Sequence, residues 1–267
     1  MNGRVYLMGA GPGDPDLLTV TAARVLRRAE VVFHDDLVAP EILDLLPAWA
    51  QVLNVGKRCG QACISQDRIN SLLVHAARQG KQVVRLKGGD PLLFGRVGEE
   101  MEALAQAGVP FEVVAGVTSA SGAAAAAKIP LTDRRFASKL VFVSNHGAGN
   151  ETASWHDVVS KDATVVVYMP GPDYGRIAAK LTAAGLEGDT PCLLVARATR
   201  REQQVHRSTL AQLALQPKLP APALLIVGEV TRARPAAAAE VLTSLETVLS
   251  LEETTGGVEP QASSMHA

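Results

Sequence analysis

The sequence has few aromatic residues and no strong excess of charge of either sign. Aromatic side chains make up 4% of its 267 residues, and its formal net charge is -1. A net charge near zero provides no general attraction to nucleic acid or to an anionic membrane, so we expect neither as a partner. With so few aromatic rings, the core must consist mainly of Ala, Val and Leu, which favours a layered α/β protein.

Cysteine is also scarce, and metal-ligand patterns are missing. The three cysteines, Cys59, Cys63 and Cys192, are an odd number without a regular framework, which argues against a secreted disulfide scaffold. The spacing of Cys59 and Cys63 is compatible with a metal or redox pair. However, no CxxC motif or histidine cluster supplies further ligands, so we predict no metal.

Long hydrophobic runs are absent as well. No stretch approaches the ~20 apolar residues of a membrane helix, and the first residues lack a signal-peptide pattern. We therefore expect a cytoplasmic protein.

Short aliphatic runs alternate with longer amphipathic segments, which predicts strands alternating with helices. This alternation is typical of a mostly parallel sheet with helices on both faces. Strands are predicted at 4–8, 30–34, 51–55, 82–86, 111–114, 139–144, 164–169, 192–196, 203–207 and 223–227. Helices are predicted at 17–28, 40–46, 66–79 (with Ser65 as N-cap), 99–107, 118–128, 173–183 and 240–251.

The pattern restarts after Gly116, and short links between the last strands predict a partly antiparallel second sheet. We therefore predict an α/β fold with two α/β domains, 1–116 and 117–234, and a partly disordered tail, 235–267.

Three glycine-rich loops follow predicted strands, at 9–15, 85–91 and 115–120. Pro12 breaks the GxGxxG spacing in the first loop, which disfavours a dinucleotide site. Its alternating glycines favour close approach of a ligand to bare backbone over a simple tight turn. Asp90 in the second loop suits a sulfonium, a ribose or an ammonium group. Thr118 and Ser119 in the third either contact a ligand or merely cap a helix. Because ligands bind at the carboxyl ends of strands in open α/β sheets, we predict one concave site.

The same loops carry a family resemblance. VYLMGAGPGD at 5–14, and VRLKGGDP at 84–91 followed by FGR at 94–96, resemble the signature motifs of the tetrapyrrole methyltransferases. The resemblance extends from about Val5 to Val230. It implies a class III, tetrapyrrole methylase-like fold with the cofactor cleft between the two domains.

Four further segments resemble the branch of that family that C-methylates uroporphyrinogen III. They are HDDLV at 34–38, VGKR at 55–58, IPLT at 129–132 and YMP at 168–170. The chain departs from the branch pattern at His34, Asp36, Ser144, Asn145 and Asp133, and at Ala198, where glycine is expected. These departures concern substrate contacts and the width of the cofactor pocket.

The resemblance implies S-adenosylmethionine (SAM) as methyl donor, leaving as S-adenosylhomocysteine (SAH). Its implied cofactor-binding residues are Pro12, Gly88, Gly89, Asp90, Leu93, Thr118, Ser119, Met169 and Ala198. Without the motif, Met169 is expected to be a core residue.

Asp35 falls at the family's proton-acceptor position and Lys57 at its proton-donor position. Without the motif, Asp35 is equally well explained as a turn or N-cap aspartate, and Lys57 is better explained as a solvated surface lysine. Arg58, Arg96, Arg134 and Arg135 are candidates for holding the substrate's carboxylates, although a solvated face explains each of them about as well.

The implied reaction is methylation of uroporphyrinogen III at carbons 2 and 7 to precorrin-2, a precursor of both sirohaem and cobalamin. The resemblance also implies a homodimer. Because it begins at the first residues, we expect no fused dehydrogenase or chelatase domain. One alternative is a methyltransferase for a later corrin precursor, and another is a SAM-binding module without catalysis, against which Asp35 and Lys57 argue. An NAD or nucleotide-sugar enzyme is a more distant third.

Overall fold

A computed structural model describes residues 3–56, 64–146, 155–156 and 159–232 of the chain. The described elements form two five-stranded sheets with helices packed on their faces. This arrangement confirms the predicted α/β class.

The first sheet is entirely parallel. Its strands are β1 (Arg4–Gly9), β2 (Val31–His34), β3 (Gln51–Asn54), β4 (Gln82–Lys87) and β5 (Phe111–Val114). Their spatial order is β3-β2-β4-β1-β5, and every neighbouring pair runs in the same direction. The loops that follow all five strands therefore leave from one edge of the sheet, which we call the carboxyl edge.

Helices cover both faces of the first sheet. The short helices α1 (Val20–Leu26) and α2 (Pro40–Leu43) cover one face, and α3 (Gln66–Arg78) and α4 (Val97–Gln106) cover the other. Alternation along the strands divides the side chains between these two layers. In β4, Val84 and Leu86 pack on the α1 and α2 side, whereas Val83 packs on the α3 and α4 side.

The second sheet is mixed. Its strands are β6 (Lys139–Ser144), β7 (Ala163–Tyr168), β8 (Pro191–Ala196), β9 (Gln204–Thr209) and β10 (Ala223–Val227), in the order β6-β7-β10-β8-β9. Only β6 and β7 pair in parallel, and the other pairs are antiparallel. Helix α6 (Tyr174–Ala183) packs on one face and α5 (Ser119–Ala126) on the other. The predicted partly antiparallel sheet is confirmed.

All ten predicted strands are present, with ends that differ by at most two residues. The helices differ more, because caps rather than apolar periodicity decide where they begin. The predicted helix 17–28 is divided into a 3₁₀ turn, Pro15–Leu17, and α1, since the hydroxyl of Thr19 caps α1 through the nitrogen of Ala22. Ser65 caps α3 as predicted. The predicted helix 240–251 and the tail lie outside the described residues.

None of the helices in the described part of the chain combines the length and apolar character needed to span a bilayer. Cys192 is buried in the second sheet, and this burial raises the pKa of its thiol to about 12. Cys59 and Cys63 lie outside the described residues.

Candidate functional site

The loops that follow β1, β4 and β5 are hydrogen-bonded to one another. Gly11 and Gly89 exchange two backbone hydrogen bonds, 3.1 Å from the Gly11 nitrogen and 2.7 Å from the Gly89 nitrogen. Asp90 connects the third loop, because its Oδ2 accepts from the nitrogen of Gly116 at 3.0 Å. Its Oδ1 accepts from the nitrogen of Leu92 at 2.8 Å. The three predicted loops therefore meet at the carboxyl edge.

Close packing between the loops gives their glycines a role besides ligand approach. A Cβ atom on Gly9 would lie 2.5 Å from the carbonyl oxygen of Gly89 and 2.7 Å from the Cα of Gly116. A Cβ atom on Gly122 of α5 would lie 2.6 Å from the Cβ of the buried Pro12. The glycines thus allow backbones and helix α5 to approach closely, a requirement that the sequence did not distinguish from ligand binding.

Thr118 and Ser119 are half-buried at the start of α5. Thr118 occupies the N-cap position but makes no capping hydrogen bond with its side chain. Its hydroxyl instead shares a hydrogen bond of 2.5 Å with the hydroxyl of Tyr168, which also accepts from the nitrogen of Ala120 at 3.3 Å. Side-chain capping therefore does not explain Thr118. Burial raises the pKa of Tyr168, so its phenol stays protonated and available for this hydrogen bond at neutral pH.

Met169 and Ala198 follow strands of the second sheet. Met169 is 43% exposed with a φ of +51°, so it is not the core residue that its position after a Val-rich strand suggested. Ala198 is 8% exposed and lies between two residues of positive φ, Arg197 at +48° and Thr199 at +66°. Such backbone conformations are costly for non-glycine residues and cluster at functional sites.

Several contacts join the loops of the first sheet to those of the second. The nitrogen of Asp14 donates to the hydroxyl of Thr199 at 3.1 Å, and Arg200 donates to the carbonyl oxygen of Leu37. The rings of Phe94 and Tyr168 lie 5.0 Å apart. Residues of both halves of the chain therefore contribute to one region beside the carboxyl edge. Gly88 and Leu93, two further cofactor candidates, are half-buried in this region.

Asp35, the candidate proton acceptor, follows β2 and pairs with a buried arginine. Its Oδ1 lies 2.5 Å from Nη2 of Arg85, and its side chain is 26% exposed. The Nε of Arg85 donates to Oε1 of Glu100 at 2.9 Å, and the same oxygen lies 3.1 Å from Nζ of Lys87. Arg85, Lys87 and Glu100 are all buried, so Asp35 is the most exposed member of a four-charge cluster.

The ionisation of the two cations reflects this environment. Burial opposes the charge of Arg85, but the carboxylates of Asp35 and Glu100 more than compensate and raise its pKa. Burial and the neighbouring charge of Arg85 lower the pKa of Lys87, and the same two carboxylates partly offset that effect. Arg85 is therefore the permanent positive charge beside Asp35.

The candidate substrate-binding arginines lie on exposed segments, and two of them pair with nearby carboxylates. Arg96 has a φ of +56° and makes two 2.8 Å hydrogen bonds to Glu99, which raise the pKa of its guanidinium. Arg135 pairs with Asp133 at 2.9 and 2.8 Å, with the same effect on its pKa. Arg134 is exposed. A substrate carboxylate would compete with Glu99 and Asp133 for the paired arginines.

Lys57 and Arg58, the predicted proton donor and a predicted substrate contact, lie outside the described residues. Within the described ranges, no cluster of three His, Cys, Asp or Glu side chains is suited to a metal ion.

One cavity of about 570 Å³ lies away from the glycine-rich loops. It is lined by residues near the amino ends of β4 and β5, including Gln82 and Glu112, and by Arg24 and Arg28. None of the predicted site residues that the structure describes lines this cavity.

Sequence reasoning missed three residues of this region as site components: Glu100, Tyr168 and Thr199. A signal for Glu100 was available, because Arg85 and Lys87 are two residues apart in β4 and must face the same helix layer. That layer requires a carboxylate, but the adjacent pair of Glu99 and Glu100 leaves open which one is buried. The YMP match at 168–170 includes Tyr168 but gives its side chain no role, and no comparable local signal identifies Thr199.

Comparison with known proteins is consistent with this geometry. The family of Tetrapyrrole (Corrin/Porphyrin) Methylases matches residues 4–214. A siroheme synthase from Pseudomonas putida is 48% identical over 236 residues, which cover 87% of this chain and 51% of the relative. The chain therefore spans about half the length of the curated relatives that it matches.

Solved structures match over nearly their whole length. The native uroporphyrin III C-methyl transferase from Thermus thermophilus is 41% identical, with a TM-score of 0.76, covering 86% of this chain and 99% of that one. The same enzyme complexed with S-adenyl homocysteine matches with the same TM-score and coverage. The extent of these matches, together with the loop motifs at the carboxyl edge, leads to one conclusion: the chain belongs to the tetrapyrrole (corrin/porphyrin) methylase family.

Proposed function

We propose that this chain is a SAM-dependent uroporphyrinogen-III C-methyltransferase. It methylates carbons 2 and 7 of uroporphyrinogen III in two successive steps and yields precorrin-2, at the branch between sirohaem and cobalamin. One observation carries the proposal: Asp35, paired with Arg85, lies at the same sheet edge as the loop of Gly88, Gly89 and Asp90. In a tetrapyrrole methylase, this arrangement brings a proton acceptor and a cofactor loop to adjacent strands.

The residues at the carboxyl edge fit SAM. The half-buried carboxylate of Asp90 has acceptor capacity beyond its two backbone hydrogen bonds, which suits a cationic or hydroxylated ligand. Met169 is exposed, and the hydroxyls of Thr118 and Ser119 are half-buried beside the loop. The complex of the Thermus thermophilus relative with S-adenyl homocysteine supports the same ligand class.

SAM supplies an electrophilic methyl group: a pyrrole carbon provides the electron pair of the new C–C bond, and the electrons of the broken S–CH₃ bond stay on sulfur. The methylated macrocycle carries a positive charge until it releases a proton. Asp35 accepts this proton, and its carboxylate stabilises the charge as it develops. Arg85 donates to Oδ1 of Asp35 and so fixes the orientation of this carboxylate. Where Lys57 delivers a proton to one position of the macrocycle, in keeping with its motif position, a second proton leaves another position for solvent, so each methyl group gained still replaces one hydrogen.

The carboxylates of the substrate require cations around the site. Arg58, Arg96, Arg134 and Arg135 are our candidates, because guanidinium groups bind carboxylates with two parallel hydrogen bonds. Arg96 and Arg135 make such paired contacts with Glu99 and Asp133, so their side chains adopt a suitable geometry.

Conversion of uroporphyrinogen III and SAM to precorrin-2, followed by absorbance, tests the proposal. We expect two methyl groups to be transferred for each tetrapyrrole. The comparison is an assay of methyl transfer from labelled SAM to later corrin precursors. Transfer to one of these but not to uroporphyrinogen III would instead indicate a methyltransferase for a later corrin precursor. SAM binding without transfer to any tetrapyrrole would indicate a non-catalytic binding module.

We further propose a cytoplasmic homodimer in which each chain has two α/β domains that meet near Gly116. The first sheet ends at Val114, and α5 packs on the second sheet, which supports the boundary. Sedimentation at several concentrations tests the dimer, and a monomer at every concentration would contradict it.

A further inference from the structure

Glu100 occupies a core position in α4, although it is a carboxylate. The buried residues of this helix are Val97, Glu100 and Leu104, spaced as expected for the inward side of a helix. Glu100 is fully buried beneath β4. Arg85 and Lys87 alternate with apolar residues in β4, so both side chains reach the same layer as α4.

One oxygen of Glu100 receives all of its described hydrogen bonds. Oε1 accepts from Nε of Arg85 at 2.9 Å, Nζ of Lys87 at 3.1 Å and Nε2 of Gln66 at 3.2 Å. Oε2 is buried without a hydrogen-bond partner among the described residues. Burying an incompletely satisfied carboxylate is unfavourable, and apolar residues replace buried ion clusters without loss of stability in many proteins. Stability is therefore a poor explanation for this glutamate.

Arg85 connects Glu100 to Asp35 rigidly. Its Nε bonds Glu100, its Nη2 bonds Asp35, and its Nη1 donates to the carbonyl oxygens of Phe33 and Leu86, each at 3.3 Å. Every nitrogen of the guanidinium is engaged, so Arg85 cannot rotate without breaking one of these bonds.

We propose that Glu100 is a positioning residue that acts on Asp35 through Arg85. By sharing the guanidinium, Glu100 holds Arg85 in place and reduces its electrostatic hold on Asp35. The carboxylate of Asp35 then remains oriented but is a better proton acceptor than one that alone neutralises an arginine. This inference rests on the proposed role of Asp35 in methyl transfer.

The charged groups around Asp35 determine in which direction each substitution should move the pH dependence of methyl transfer. Arg85 and Lys87 face Asp35 from β4, and Glu100 lies behind them on α4. His34 and Asp36 are its neighbours in the sequence. Removing the charge of Glu100 strengthens the net attraction of the cations for Asp35. Removing the charge of Arg85 leaves Asp35 beside Glu100 with a weaker cationic partner.

The decisive experiment compares Glu100→Gln with Arg85→Met in assays of methyl transfer from SAM to uroporphyrinogen III across pH. For Glu100→Gln we expect the acid limb of kcat to move to lower pH by about one unit, and kcat on the plateau to fall on the order of 10-fold. For Arg85→Met we expect the acid limb to move in the opposite direction. The KM for SAM should change by less than about twofold in Glu100→Gln, because Glu100 bonds none of the cofactor candidates.

Gln66→Met is the matched control, since it removes a neutral donor from the same oxygen of Glu100. It should leave the acid limb in place. If Glu100→Gln instead lowers kcat equally at every pH, without moving the limb, Glu100 is merely structural and the proposal is overturned. If Arg85→Met does not fold, the direction in which Glu100→Gln moves the acid limb of kcat still tests the proposal.

Carbon-13 NMR of the Asp35 carboxyl group separates this proposal from the proposed function. Its resonance is assigned by its absence in Asp35→Asn. In Glu100→Gln it should titrate at lower pH than in the unchanged protein. An unmoved titration overturns the positioning role even if methyl transfer occurs. Absence of turnover by the unchanged protein would overturn only the proposed function.

Discussion

At the scale of single residues, the candidate site is distinguished by charges in unusually buried positions. Asp35 is partly accessible, whereas its partners Arg85, Glu100 and Lys87 are shielded from water. Shielding strengthens their mutual interactions and makes each charge sensitive to the loss of another. Substitution of one member should therefore affect the other members of the cluster and the stability of the protein.

Asp35→Asn should abolish methyl transfer while SAM still binds. The amide keeps the shape of the side chain but accepts no proton, so we expect kcat to fall by roughly 100-fold or more. Affinity for SAM, measured by calorimetry, should change by less than about twofold. Asp44→Asn, the same change at an exposed position, is the control and should be fully active. Full turnover by Asp35→Asn would refute the role of Asp35.

Arg58→Ala should weaken binding of the tetrapyrrole and leave the affinity for SAM unchanged. Loss of one charge-assisted contact to a carboxylate predicts a KM for uroporphyrinogen III about 10-fold higher. Arg78→Ala, an exposed arginine in the last turn of α3, is the control. An unchanged KM for the tetrapyrrole would contradict a substrate contact at Arg58.

At the scale of elements, close approach rather than helix propensity explains the composition of α5. The helix reads SASGAAAA, and its buried residues are Ala120, Gly122, Ala123 and Ala124. These small side chains let the helix lie between the β1 loop and the second sheet, where Pro12 packs against Gly122. A larger residue would push the helix away from the loop that carries a cofactor candidate.

Gly122→Ala should therefore destabilise the protein, although alanine favours helices. The added methyl group lacks space beside Pro12, so we expect a loss of about 1–3 kcal/mol in the free energy of unfolding, together with weaker SAM binding. Gly98→Ala is the control: apart from the backbone of its own helix and its chain neighbours, none of the described residues lies within 4 Å of its added Cβ, and it should stabilise α4 by up to about 1 kcal/mol. Equal effects of the two substitutions in urea denaturation would contradict this packing argument.

At the scale of the whole molecule, a few long-range contacts join the two sheets beside the carboxyl edge. Tyr168 ends β7, yet its hydroxyl bonds Thr118 and Ala120, which are 50 and 48 residues away in the chain. Its ring also contacts Phe94 from the β4 loop. Tyr168 thus ties the start of α5 to the second sheet and sets the position of Thr118.

Tyr168→Phe should loosen this connection without creating a cavity. Losing the shared hydroxyl should cost about 1–2 kcal/mol in unfolding free energy and weaken SAM binding several-fold, because Thr118 is no longer held. Tyr6→Phe is the control, since the described residues offer its hydroxyl no hydrogen bond, and it should change stability by less than about 0.5 kcal/mol. SAM affinity that is unaffected in Tyr168→Phe, measured by calorimetry, would refute the role of the hydroxyl.

The amino-acid sequence by itself determined the strands, the two-sheet α/β class and the loops that carry the family motifs. These features are local, because alternation, helix periodicity and glycine-rich turns are encoded within short stretches of chain. The start of α1 after Thr19 and the need for glycine at position 122 were not predicted from the sequence, because both depend on particular atomic contacts.

Only the tertiary structure decided which distant charges meet. Asp35 and Arg85 are 50 residues apart and become neighbours because β2 pairs with β4 rather than with β1. The choice of Glu100 over Glu99 as the buried carboxylate likewise follows from how α4 lies on the sheet. Strand order and helix orientation arise from packing of the whole chain, so local patterns predict the carboxyl edge but not the network that supports Asp35 there.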